Sequence, residues 1–231
     1  MANQFDLDRF DDCPTKRWLQ SQIYSDLAKR VKSNVMMIAG PAVERHINDG
    51  LKIASTPAAR IHLVEKDFGR YKEMVRRYRD IPNRPKEWAK KITLINSDIL
   101  LCDSMRFEDL DLCQTMSSLR YLVGHRILLQ SKLGGSAFKL RKCMLITTSL
   151  RHYELNKTFD AVLNLVRDIL GAKVSIWKGA GGKKYSRLYK EHGVKEYFPY
   201  IENHGRILNN GLRFYTYRDG APMFSCMILY V

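Results

Sequence analysis

Four apolar runs in this sequence lead into residues that can do chemistry. The run "NVMMIAGPAVE", from Asn34, turns at Gly40 and Pro41, and "ARIHLVEKD" ends on Glu65. "KITLINSDIL" leads into Asp98, and "MRFEDLDLC" carries Asp109 and Asp111. A glycine after a strand has no side chain to keep a ligand off the backbone, so N–H groups at the next helix start can approach it. An acid about 25 residues further on, Glu65, can accept both hydroxyls of a ribose. Two carboxylates two residues apart in an apolar strand are costly unless they are paired or open at a mouth. Singly, each of these residues also suits a plain strand-to-helix turn or a solvent-facing strand end. Their joint placement is what points to a ligand, because open parallel sheets bind ligands outside the carboxyl ends of their strands.

The elements that must hold them in place alternate. "TKRWLQSQIYSDLAKRVK" spaces Trp18, Leu19, Ile23, Leu27 and Val31 as one face of a leading amphipathic helix. "AVERHINDGLKIA" repeats apolar residues every three or four positions until "STPAAR" breaks it. "FGRYKEMVRRYRD" reads as a helix with a basic outer face, stopped by "IPNRP", and "QTMSSLRYLVGHRILLQSKL" as a long helix. "LRKCMLITTSL" supplies a fifth strand, and "NKTFDAVLNLVRDILG" a helix capped by Asn156. Strands that are continuous apolar runs, separated by helix-length spacers, predict a parallel sheet covered on both faces. "GLRFYTYRDGAPMFSCMILYV" differs: two β-rich runs meet at Asp219-Gly220, a tight-hairpin signal. The expected architecture is α/β and Rossmann-like: a mostly parallel sheet with helices on both faces and a C-terminal antiparallel β-hairpin. It occupies 34–231, after an N-terminal helical extension over 1–33.

At 231 residues the chain suits one such domain. No apolar run approaches the ~20 residues of a membrane span, which predicts no membrane partner. The polar, acidic N-terminus reads as neither a signal nor a transit peptide, so a cytoplasmic location is expected. Five scattered cysteines without a CxxC pair read as reduced thiols, and no histidine pair has metal-ligand spacing, so no metal site is expected. The formal net charge of +15 attracts polyanions, of which nucleic acid is the commonest in a cytoplasm. The charge concentrates in "RYKEMVRRYRDIPNRPKEWAKK" and "WKGAGGKKYSRLYK"; the second lacks the GxxxxGK[ST] spacing of a P-loop.

In order of elements the chain, from about Val35 to Val231, resembles the class I S-adenosylmethionine-dependent methyltransferases, whose sheet also ends in an antiparallel hairpin. The resemblance implies S-adenosylmethionine as cofactor, with Gly40 and Pro41 beside its methionine part, Glu65 on the ribose and Asp98 on the adenine amino group. Asp111, ending strand four, would face the transferred methyl and orient an amine or hydroxyl acceptor or take its proton. Arg76, Arg77, Arg79, Lys90 and Lys91 would hold phosphates of DNA or RNA, Lys183 and Lys184 would form a second clamp, and Tyr185 and Tyr189 would stack on single-stranded bases.

This sequence departs from that family's pattern in three places. Met37 stands where strand one usually carries an acid, and Gly40 is the turn's only glycine. Strand four has neither the Asn/Asp-Pro-Pro-Tyr/Phe signature nor a Pro-Cys pair, although Cys113 is close. The competing reading is therefore a catalytically inactive methyltransferase fold serving as a nucleic-acid-binding or complex subunit, with room for a protein partner. So divergent a version would suit a viral origin, and then a host cytoplasm. A nicotinamide-dependent oxidoreductase fits less well, because G-x-G-x-x-G is absent.

Overall fold

The computed structural model describes residues 13–40, 42–111, 116–133, 141–150, 155–176, 190–197 and 199–231, and for 116–119 the backbone alone. Helix α1 (Pro14–Leu27) precedes β1 (Val35–Ile38), α2 (Val43–Ile53), β2 (Ile61–Glu65), α3 (Phe68–Asp80), a short α4 (Trp88–Lys91) and β3 (Ile92–Asn96). A 3-10 turn (Ile99–Leu101) leads to β4 (Phe107–Asp111), α5 (Met116–Ser131), β5 (Lys142–Ser149) and α6 (Leu155–Leu170). Three short strands follow, β6 (Lys173–Ser175), β7 (Lys195–Tyr197) and β8 (Tyr200–Asn203), and then the long pair β9 (Ile207–Asp219) and β10 (Ala221–Tyr230).

Among the described residues the main sheet has the order β3-β2-β1-β4-β5-β10-β9-β7, and β6 pairs with β8 apart from it. Strands β1 to β5 are parallel, and β10, β9 and β7 join antiparallel. This is the Rossmann-like sheet with its C-terminal hairpin that the alternation predicts. Gly220 turns the hairpin at φ +70, a conformation its lack of a Cβ permits. The short strands β6, β7 and β8 carry too few apolar residues to register as a pattern in the sequence. Asn156 lies inside α6 rather than ahead of it, because the helix already begins at Leu155.

Alternation along the strands divides the interior into two layers. Val35, Met37, Leu63, Phe107, Leu145 and Met227 face one way, against Leu19, Ile23, Leu27 and Ile47 of α1 and α2. Met36, Val64, Leu110, Met144, Ile146 and Phe224 face the other way, against Val123, Ile127, Phe159 and Val166 of α5 and α6. The methionines of β1 and β5 are filler in these layers, as unbranched side chains often are. Cys143 and Cys226 are buried in them as free thiols.

Charge also organises the interior. Arg126 of α5 and Glu108 of β4 are both fully buried, with Nε and Nη2 donating to the two carboxylate oxygens at 3.0 and 2.8 Å. The remaining donors of Arg126 reach the carbonyls of Ile99, Cys102 and Asp103, while Ser104 Oγ and Met105 N donate to Glu108. A buried pair is tolerable only with this complete satisfaction, and removing one partner strands a charge in the interior. Arg126→Met is therefore expected to destabilise the fold by about 3–5 kcal/mol in urea titrations. A change under ~1 kcal/mol would show that the pair does not hold the β3–β4 connection.

Candidate active site at the carboxyl edge of the sheet

The chain leaves β1 toward β2 and β3 on one side and returns to β4 and β5 on the other. In open parallel sheets the ligand position is where the order reverses, here above the carboxyl ends of β1 and β4. Gly40 stands at this point, and a Cβ built on it would meet no atom within 4 Å, so the turn opens on free space. Pro41 lies outside the described residues. Helix α2 starts beyond it with no side-chain cap, leaving first-turn N–H groups without a side-chain acceptor at their N-cap.

Glu65 closes β2 as a buried residue whose Oε1 accepts from Asp67 N at 2.8 Å. Burial pushes its pKa up, against the pull of that N–H. Asp98 begins the 3-10 turn after β3: one oxygen accepts from Leu100 N at 3.0 Å and the other meets Lys66 Nζ at 2.7 Å. Lys66 and that N–H hold Asp98 below its ordinary pKa. Two apolar side chains that the sequence analysis did not single out stand close in the chain to these acids, Phe68 at 58% and Leu101 at 82% exposure. Large apolar surface left in water beside a polar edge suits a flat base. The signal in the sequence was an apolar residue three positions after each acid, and it says nothing about exposure.

Asp111 ends β4 and forms an ion pair with Lys16 of α1 at 2.5 Å, the two side chains only 13% and 12% exposed. Burial works to lower the Lys16 pKa, but the carboxylate outweighs it and holds the ammonium above its usual range. Asp219, at the tip of the hairpin, accepts from the backbone N–H groups of Thr15 and Lys16 at 3.3 and 2.7 Å. A carboxylate at a helix start complements the helix dipole, so the hairpin fastens α1 over the mouth of β4. His46, buried on α2, has its pKa lowered to about 3 by burial and by neighbouring Arg45, and stays neutral. One turn deeper, Asp109 accepts from Tyr24 Oη of α1 at 2.8 Å, and its other oxygen is buried without a partner.

The structure brings Gly40, Glu65, Asp98 and Asp111 to one edge. It does not bring the basic residues there. Arg76, Arg77 and Arg79 lie late in α3, which leads to the opposite edge, and Lys90 and Lys91 directly precede the amino end of β3. Arg76 pairs with Glu73 and Asp80, Arg77 pairs with Glu73, and Lys91 donates to the carbonyls of Ala54 and Thr56, which end α2. Arg79 and Lys90 are exposed. Lys183, Lys184, Tyr185, Tyr189 and Cys113 lie outside the described residues. Among the described residues no group of three or more His, Cys, Asp or Glu could hold a metal ion.

No protein-family model matches the chain, and no curated protein matches it in sequence. Solved structures resemble it at low identity. NSun6 from Pyrococcus horikoshii, solved with SFG, is 14% identical at a TM-score of 0.48, the match covering 92% of this chain and 51% of that one. TYW2 from P. horikoshii, in complex with MeSAdo, is 9% identical at 0.46, covering 90% and 62%. The methyltransferase domain of bacterial CtHen1-CN is 12% identical at 0.49, covering 94% and 100%. The chain thus spans about half of NSun6 and under two thirds of TYW2.

Asp109 leaves a pH signature. Burial, with Asp111 adding to it, raises its pKa from 3.8 to about 7, so between those values the native protein holds a proton that the unfolded chain has released. Stability from this group therefore falls as pH rises from about 4 to about 7. His46 acts oppositely: its depressed pKa makes the unfolded chain the better proton binder from about 3 to 6.5, and the two nearly cancel in the wild type. Asp109→Asn keeps an acceptor for Tyr24 and removes one of the two titrations. Its stability relative to wild type is expected to climb between about pH 4 and 7 by on the order of 2–4 kcal/mol, then level off. A pH-independent difference in urea titrations would place the Asp109 pKa near its unfolded value.

Proposed function

We propose that this chain is an S-adenosylmethionine-dependent methyltransferase acting on nucleic acid, DNA or RNA. The observation that carries the reading is the order of groups along the carboxyl edge. From β3 through β2 and β1 to β4 that order is Asp98, Glu65, the open turn at Gly40, and Asp111. A ligand made of a base, a ribose and a sulfonium tail meets them in the order of its own parts, over three strand spacings or roughly 14 Å. The residues present fit such a cofactor. Asp98 would accept from the adenine amino group, Phe68 and Leu101 would cover the base, and Glu65 would accept from the ribose. Gly40 leaves room for the tail.

When bound, S-adenosylmethionine supplies a methyl group on a good leaving group, so the protein's task is placement. Asp111 would hold an amine or hydroxyl acceptor in line by accepting its hydrogen bond. As the bond to the methyl forms, Asp111 would take the acceptor's proton, and Lys16 would hold the carboxylate in place. The net charge of +15 supports a polyanionic substrate, and no described helix is long and apolar enough to cross a membrane.

A second reading rests on one contact. The Lys16–Asp111 pair is mostly buried, so Asp111 is already engaged, and Met37 occupies β1 as core. A fold kept for binding after its chemistry is lost would look like this.

Saturating S-adenosylhomocysteine is expected to stabilise the protein by roughly 2.7 kcal/mol at 100 times its Kd, read as a rise in Tm. Glu65→Ala and Leu101→Asp should weaken that binding. Asp111→Asn should keep it and lose labelled methyl transfer to mixed DNA and RNA by about 10²–10⁴-fold. No heat and no shift at about millimolar ligand would overturn the cofactor reading. Binding without labelling by the wild type would select the second reading.

A further inference from the structure

A cavity of about 590 Å³ lies between α1, the start of α2 and the end of α3, lined among others by Arg17, Ser21, Glu44, Arg45, Asp49 and Arg77. One guanidinium comes from each helix. The carboxylate of Asp49 is taken by Lys52 at 2.7 Å, and Arg77 is braced by Glu73 at 2.7 Å. No ion pair to Arg17 or Arg45 occurs among the described residues, and the Nε of Arg45 is buried without a hydrogen-bond partner. A guanidinium without an acid partner can be satisfied by an oxyanion at its reachable N–H groups, the buried Nε of Arg45 being out of that reach. The uncapped N-terminus of α2, at Ala42 and Val43, adds positive dipole to the same lining. The cavity reaches the carboxyl edge, since its lining includes Ala42 and Val43, just past the Gly40 turn, and Arg17, next to the Lys16 that pairs with Asp111.

We propose that this cavity holds a phosphate group of a nucleic-acid strand, with Arg17 and Arg45 as its donors and Arg77 completing the positive wall. The proposal deepens the nucleic-acid part of the function above and is independent of the cofactor. It puts the phosphate contact beside Asp111, where strand and acceptor could be held together. Of the other basic residues late in α3 and in α4, Arg79 and Lys90 are not among the residues that line it.

The test uses the full chain and a short fluorescent single-stranded oligonucleotide, titrated between about 50 and 200 mM salt. Arg17→Gln/Arg45→Gln is expected to weaken binding about tenfold or more and to reduce the slope of log K against log salt by about 1, as loss of one phosphate contact requires. Arg17→Gln alone, at an exposed position, should give a smaller loss with Tm unchanged, which guards against misfolding of the double variant. Arg79→Gln/Lys90→Gln removes the same charge at the far edge and should have little effect. Unchanged affinity and slope in folded Arg17→Gln/Arg45→Gln would overturn the site, as would an equal loss in the far-edge variant. Arginine-dependent heat with inorganic phosphate or a mononucleotide, but no oligonucleotide binding, would also overturn it and assign the cavity to a free phosphorylated ligand. S-Adenosylhomocysteine binding, measured on the same variants, should be retained, so failure of the cofactor reading stays distinguishable.

Discussion

Strand β4 sits between β1 and β5 in the sheet and carries Glu108, Asp109 and Asp111 within its five residues. Carboxylates there must be paired, protonated or brought to an opening, because an isolated buried charge costs more than a small domain's whole stability. The three are handled in three ways. Glu108 points into the α5 layer and takes Arg126 together with Ser104 and Met105. Asp109 points into the α1 layer, takes the Tyr24 hydroxyl and keeps its proton toward neutrality. Asp111 reaches the edge and takes Lys16. Much of the surrounding architecture follows from satisfying this one strand.

The role of α1 is the clearest consequence. Leu19, Ile23, Tyr24 and Leu27 bury its apolar face in the sheet layer, yet its polar contacts are what set its position. Tyr24 and Lys16 answer two carboxylates of β4, and Asp219 from the hairpin tip caps its first turn. A segment from the beginning of the chain and a turn near its end thus meet over the strand that ends in Asp111. The arrangement leaves that carboxylate only 13% exposed, with a cation beside it. In the proposed reaction an acceptor would have to share Asp111 with Lys16.

Cations as well as acids stand near the mouth. Lys16, Arg17 and Arg45 cluster near the start of α2, while His46 is kept neutral by the same burial and by Arg45 beside it. In a crevice with low-dielectric walls such charges act more strongly than the same number spread over a surface. Of the cations that crowd "RRYRD" and "KEWAKK", Arg76 and Arg77 pair with Glu73 and Lys91 donates to the carbonyl of Ala54, while Arg79 and Lys90 are exposed.

The sequence by itself was enough for seven of the main sheet's eight strands, β7 excepted. Its apolar runs are continuous where strands are buried on both faces, and its helices repeat at helical spacing, so the alternation and the Asp219-Gly220 hairpin were legible locally. The acids Glu65, Asp98 and Asp111 were legible for the same reason: each follows a run whose direction in a parallel sheet is known. The sequence could not show that Lys16 would find Asp111, that Tyr24 would find Asp109 across 85 positions, or that Asp219 would cap a helix 203 positions away. Nor could the buried Glu108–Arg126 pair be separated from ordinary surface charge. Burial and pairing are properties of three-dimensional neighbours, and a charged residue has the same letter in water as in a core. Charge density along the chain pointed to α3 and α4, but topology sends most of those residues, the cavity's Arg77 excepted, toward the opposite edge from Asp111. The arginines of the cavity come from three separate helices, so only the packing of α1, α2 and α3 makes them one site.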